Sequence, residues 1–346
     1  MSKILIAAVL IILMVIPVSA TEFTAPSAPE SAQEYMPDSI QSFGDGLWYV
    51  IKTAIAKLQP SIANAAGICL SVIGVCLLVS ILQNASANTK QIIAITGTVA
   101  IGLLLLQPVN SLIKLGTETV ISLSEYGKLL LPVMTGAMAA QGGVTSSAAL
   151  YAGTVLFDAL LSSVIAKLIV PMLYVYLCLC VANSAMGESL LNSISDFVKW
   201  AMTWCLKTVL YVFTGYIGIT GVVSGTADAA AVKAAKLTIS GAVPVVGGII
   251  SEASETILVS AGVMKSAAGV YGVLAILAVW VGPFLKIGIQ YILIKITAAV
   301  CSVVGTKQIS TLVRDFSGAM GMILAMTGAV CLLLLISIVC FMKGIH

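Results

Sequence analysis

Charge is the scarcest property of this sequence. Only 9% of its 346 residues are Asp, Glu, Lys or Arg, against about 25% in an ordinary soluble chain whose surface must be solvated. Histidine is nearly absent: His346 stands alone, and with no CxxC pair beside it a zinc cluster has no ligand set. There is no GxxxxGK[ST] loop to cradle nucleotide phosphates and no HExxH helix to hold a catalytic zinc. A net charge of +3, spread along the chain, excludes a nucleic-acid-binding domain. Aromatic residues make up 6%, and apolar–polar alternation is sparse, which excludes an outer-membrane β-barrel. The eight cysteines, Cys69, Cys76, Cys178, Cys180, Cys205, Cys301, Cys331 and Cys340, lie in or beside apolar runs. Cys69 and Cys76 share a helix face, but in such settings cysteine packs as a small apolar side chain.

What the chain does have is hydrocarbon. Hydrophobic residues reach 60% and the mean hydropathy is +1.11, so most of the outer surface must meet lipid. The fold class that follows is all-α: a polytopic transmembrane helical bundle, with interfacial amphipathic helices and with re-entrant segments admitted where Pro or Gly interrupts a span. Nothing in the sequence calls for a cofactor.

Residues 1–20 have the pattern of a signal peptide. Lys3 supplies a positive start, residues 4–16 form an apolar core, and Val18, Ser19 and Ala20 follow the helix-breaking Pro17; the core is short for a span. Residues 21–60 then read as an acidic linker and amphipathic lead-in. Glu22, Glu30, Glu34, Asp38 and Asp45 precede the next basic residue, Lys52, and Pro26, Pro29 and Pro37 mark a flexible chain. A Lys-free acidic segment crosses a membrane easily, which places the mature N-terminus outside the cytoplasm.

Residues 61–346 form the multi-pass domain. Clear spans are 62–82, 91–109, 204–225 and 319–342, each close to the roughly 20 residues a bilayer requires. Two longer apolar regions, 144–185 and 263–304, are interrupted by Lys167 and Pro171 and by Gly282 and Pro283. Each is long enough for a helix pair, giving about eight spans. In residues 112–131, Lys114, Glu118, Glu125 and Lys128 gather on one helical face opposite Leu112, Leu115, Val120, Leu123 and Tyr126; such a helix is expected to lie in the membrane interface.

Asp158 is the anomaly among the spans, because a carboxylate in lipid is costly and needs a partner. Lys167, nine positions later, falls on the opposite face of the same helix, so that partner must come from another helix. Asp158 and Lys167 are therefore the candidate intramembrane polar site, either a proton or ion site or a carboxylate bonded to Ser or Thr neighbours such as Ser162. An aspartyl intramembrane protease would need a second placed carboxylate. Gly215, Gly218, Gly221 and Gly225, then Gly262, Gly269 and Gly272, then Gly318, Gly321 and Gly328, are candidates for close helix approach.

The segment GVVSGTADAAAVKAAKLTISGAVPVVGG, Gly221 to Gly248, continued by Ser251, Glu252, Ala253, Ser254, Glu255 and Thr256, resembles the stage III sporulation protein AE family of endospore-forming bacteria. The resemblance implies a non-enzymatic membrane subunit of a secretion-like channel complex that joins mother cell and forespore. It implies a place in the mother-cell membrane around the forespore, a role in forespore development, and partners that include a cytoplasmic ATPase and ring-forming proteins. Within the segment, Asp228 near the start of an Ala-rich helix and Lys233 and Lys236 near its end suit the helix dipole. Gly241, Pro244, Gly247 and Gly248 then break the chain. With Gly221, Gly225, Glu252 and Glu255 they make residues 221–255 a candidate docking or re-entrant motif. A self-sufficient secondary transporter using Asp158 and broken helices is the alternative, since transporters site their substrates at interrupted spans.

Overall fold

In lipid every backbone N–H and C=O must be paired within its own segment, and a chain this apolar meets that demand with helices. The computed structural model describes the backbone of residues 25–37, 42–85, 89–186, 189–242 and 247–343, and the side chains of those residues except 189–190, 221–242 and 247–266. Among the described residues there is no strand. In chain order the helices are α1 (Glu30–Gln33), α2 (Phe43–Ala56), α3 (Gln59–Ala85), α4 (Lys90–Ala140), α5 (Val144–Val164), a π-helical stretch (Ile165–Ile169), α6 (Val170–Met186), α7 (Ser189–Ala242), α8 (Gly247–Val304) and α9 (Lys307–Lys343).

Six helices among the described residues are long and apolar enough to cross a membrane, where the sequence suggests about eight spans. The difference lies in the two long apolar regions, each of which is one continuous helix. Pro171 cannot donate to a carbonyl one turn back and its ring crowds that turn. The wide π-helical turns at Ile165–Ile169 take up the mismatch just upstream, so α5 runs into α6 without a break. Likewise α8 continues through Pro283.

The amphipathic stretch 112–131 is also part of a longer element. It belongs to α4, whose 51 residues run about 76 Å at roughly 1.5 Å each, more than twice the hydrocarbon thickness of a bilayer. The predicted split of faces holds, with Lys114, Glu118, Glu125 and Lys128 exposed and Val120, Leu123 and Tyr126 buried. The apolar face meets α8 and α9, so the stretch is the middle of a packed rod. The second stripe, at Ile249, Ala253, Ile257, Ala261 and Met264, lies within α8 but outside the residues whose side chains are described.

α9 is the core of the bundle. It packs on α4, α5, α6, α7 and α8, and Leu312, Phe316, Met320, Ile323, Met326, Val330 and Leu334 along it are all but inaccessible. Two glycines of α4 set its approach to α9. A Cβ at Gly116 would sit 2.5 Å from Ile323, and one at Gly127 would sit 2.8 Å from Leu334. The side chains of α9 occupy those vacated positions, the small-residue packing that brings helices together where no hydrophobic effect drives them.

The acidic leader does not hang free where it is described. Residues 25–37 lie against α4 and α8. Ala28 and Ala32 are buried, the Tyr126 hydroxyl donates to the Pro26 carbonyl at 3.3 Å, and the Ala28 N–H donates to the Tyr271 hydroxyl at 3.3 Å. Gly282, expected as part of a turn, instead leaves a slot for the Tyr35 ring, whose hydroxyl lies 2.9 Å from where a Cβ would stand. Lys57, just past the end of α2, pairs with Glu34 and lies over the Tyr35 ring. That ammonium, through its hydrogen bond and then its charge, holds the Glu34 carboxyl below the usual range. Ser42 caps α2 by accepting from the Asp45 N–H.

Candidate intramembrane polar site

Asp158 lies two-thirds of the way along α5, one turn after Thr154 and one turn before Ser162, so all three face the same way. Asp158 is buried, 3% exposed, and its partner comes from another helix: the Ser124 hydroxyl of α4 donates to its Oδ2. Ser124 is the residue that sequence reasoning missed. Its signal was present, since it sits on the apolar side of the amphipathic stretch, between Leu123 and the charged Glu125.

The same stripe binds a third helix. Thr154 donates to the Ser337 hydroxyl of α9 at 2.9 Å, and the Ser337 hydroxyl in turn donates to the Leu333 carbonyl at 2.9 Å. Asp158 Oδ1 and Ser162 Oγ are buried with no hydrogen-bond partner among the described residues; Ser162, the neighbour expected to serve the carboxylate, does not. Lys128, one turn beyond Ser124 on α4, acts on Asp158 through its charge. On the α7 side Phe157 closes the stripe, packing edge-on against Phe213 and obliquely against Tyr216.

Lys167 is not part of this arrangement. It is exposed on the π-helical stretch, on the side away from Asp158 that the nine-residue spacing predicted. With one oxygen held and the other bare, Asp158 can accept one further hydrogen bond or hold one proton. The constellation joins α4, α5 and α9 through hydroxyls and contains no second carboxylate.

A second polar junction, where α6, α7 and α9 meet, was not anticipated. The Tyr176 hydroxyl donates to the Asp315 carbonyl at 3.2 Å. The Lys199 ammonium and the Tyr176 hydroxyl each lie 3.2 Å from where a Cβ of Gly318 would stand. Asn183 of α6 donates to Asn192 of α7. No sequence spacing links these residues, which come from three helices. Between the N-terminal segment, α4 and α8 there is also an open cleft of about 270 Å³, with Glu118 and Lys286 at its rim and Thr119 and Ser122 within it.

Of the predicted close-approach glycines, Gly269 meets Met342 and Gly272 meets Leu130, while Gly215, Gly218 and Gly328 face open space. In the candidate docking motif, Gly221, Gly225, Asp228, Lys233 and Lys236 fall in α7, and Gly247, Gly248, Glu252 and Glu255 fall in α8; their side chains lie outside the described residues, as Pro244 does entirely. Gly262 falls in α8, within the stretch whose side chains are not described. No group of His, Cys, Asp and Glu among the described residues could hold a metal ion.

Comparison with known proteins gives one consistent result. The family described as Stage III sporulation protein AE matches this chain over residues 31–344. A protein of Bacillus subtilis (strain 168) with the same description is 22% identical over 267 residues, covering 76% of this chain and 66% of the relative. The chain thus spans just under two thirds of that relative's length. No solved structure matches it.

Proposed function

The chain belongs to the stage III sporulation protein AE family, and from that premise we propose that it is a non-enzymatic integral membrane subunit of a sporulation channel between mother cell and forespore. It is a multi-pass membrane protein with a role in sporulation. The observation that carries the proposal is the family match across nearly the whole bundle. In the channel reading the subunit sits in the mother-cell membrane around the forespore, its leader outside the cytoplasm. It is joined by ring-forming proteins and a cytoplasmic ATPase that supplies the energy this chain has no nucleotide loop to harvest.

The use of polar groups supports a structural role. The buried hydroxyls of Ser124, Thr154 and Ser337 are spent joining helices to one another, and Asp158 is the single carboxylate among them. A self-sufficient transporter would draw support from the bare Asp158 Oδ1. However, such transporters bind substrate at unwound spans, and here the helices carry on through both Pro171 and Pro283.

Affinity purification of the tagged full chain from sporulating cells tests the proposal. Recovery of a stable assembly containing a ring former and an ATPase is expected. Recovery of the chain alone, with solute flux once it is placed in liposomes, would overturn the subunit reading. Lys233→Ala with Lys236→Ala addresses the docking motif separately: assembly and spore yield should both fall if these residues meet partners.

A further inference from the structure

The cysteines were expected to act as packing groups, but three of them meet at one helix contact. Cys69 and Cys76 lie two turns apart on α3, and both are buried. Facing them on α8, Thr297 is in hydrogen-bond contact with Cys69, and Cys301 is in hydrogen-bond contact with Cys76. Backbone geometry places the Cys76 sulfur independently. A Cβ at Gly305 would stand 2.3 Å from Cys76 Sγ and 2.9 Å from the Cys301 carbonyl oxygen, so the sulfur is wedged into the last turn of α8. Cys76 and Cys301 are each only 1% exposed. The helix end beside them is open, with Val303 85% exposed, so a small apolar oxidant has a short route to the pair. The remaining cysteines lack this arrangement: Cys178 is exposed, Cys205 and Cys340 are half-buried, Cys180 contacts Tyr176 and Ser195, and Cys331 is buried with no thiol beside it among the described residues.

We propose that Cys76 and Cys301 form a reversible disulfide staple between α3 and α8, closed by a hydroperoxide. One thiol gives up its proton and its sulfur attacks the outer peroxide oxygen. An S–O bond forms, the O–O bond breaks, and the departing alkoxide takes the proton and leaves as an alcohol. The second sulfur then attacks the resulting sulfenic acid: the S–S bond forms, the S–O bond breaks, and hydroxide leaves as water with the second thiol's proton. Two thiols lose two electrons and two protons, and the peroxide is reduced to alcohol and water. Thiol–disulfide exchange with a small dithiol reopens the bond. α3 is apolar on all sides and packs on α4 and α8, so the staple fixes a helix otherwise held by packing.

The test uses the full chain in lipid vesicles, treated with tert-butyl hydroperoxide, alkylated at its remaining thiols and mapped without reduction. The main cross-linked product is expected to be a Cys76–Cys301 peptide lighter than its two components by two hydrogens. It should be lost in Cys76→Ala and Cys301→Ala, retained in Cys69→Ala, and lost again after treatment with dithiothreitol. Oxidation that stops at sulfenic acid on exposed Cys178, with no Cys76–Cys301 peptide from the unsubstituted chain, would overturn the proposal. A product linking Cys69 in place of Cys76 would overturn it as well. Because the unsubstituted protein carries the decisive result, misfolding of a variant cannot decide the outcome.

Discussion

Replacing Gly153 by alanine is the sharpest perturbation this packing allows. A Cβ there would stand 2.0 Å from the Tyr216 ring, in the contact between α5 and α7. The ring cannot simply turn aside, because its hydroxyl donates to the Ala149 carbonyl at 2.9 Å and its face packs on Phe157 at 5.7 Å between centroids. Overpacking of this kind costs about 1–3 kcal/mol and a displaced hydrogen bond about 1 more, while the better helix propensity of alanine returns about 1. The net expectation is destabilisation by about 1–3 kcal/mol. Gly218 lies two residues beyond Tyr216 on the same helix with nothing within 4 Å, so Gly218→Ala should be neutral or stabilising by up to about 1 kcal/mol. Unfolding of the full chain in mixed micelles, followed by tryptophan fluorescence as SDS is raised, measures both. In a Tyr216→Ala background the Gly153 penalty should disappear. If Gly153→Ala is no worse than Gly218→Ala, or costs as much without the Tyr216 ring as with it, the close-packed α5–α7 contact is refuted.

Ser124→Ala removes the hydroxyl that donates to Asp158 and should destabilise by about 0.6–1.7 kcal/mol, the span from average to strongest for interhelical hydrogen bonds in a membrane protein, whereas Lys167→Ala should stay within about 0.5 kcal/mol; the same unfolding assay reads both. Gly282→Val fills the Tyr35 slot and should release residues 25–36, seen as faster amide hydrogen exchange across that segment and not across α9. The Glu34–Lys57 pair predicts a pH dependence for that exchange. The folded carboxyl titrates below its unfolded value, so its contribution is complete above the ordinary glutamate range near pH 4 and is lost as pH falls through the lower folded value. Relative to the intrinsic amide rate at each pH, exchange in residues 25–36 should therefore rise on acidification below about pH 4, and Glu34→Gln should flatten that rise.

Much of this architecture was legible in the residues. Scarce charge and long apolar runs specify spanning helices because lipid admits little else, and the exposure of Lys114, Glu118, Glu125 and Lys128 on one face of α4 follows from a 3.6-residue period alone. Asp158 was recognisable as a carboxylate in need of a partner from elsewhere, and the separation of Lys167 from it was fixed by their spacing. The breaks at Pro171 and Gly282–Pro283 were overread. Proline removes one hydrogen bond, and a wide turn can absorb that loss without ending the helix.

Pattern and period are local quantities, so the sequence alone determined where the chain is helical, which faces are polar and that its surroundings are lipid. Which helix supplies Asp158 with a hydroxyl, which glycines are filled by a neighbour, and that Tyr35 of the leader enters a slot at Gly282 were decided only by the tertiary structure. Ser124 and Asp158 are 34 positions apart, and Cys76 and Cys301 come together from distant helices. An apolar helix has many faces of nearly equal hydrophobicity, and in a membrane no water penalty selects among them. The selection comes from shape and hydrogen bonding between specific partners, and these exist only once the helices have met.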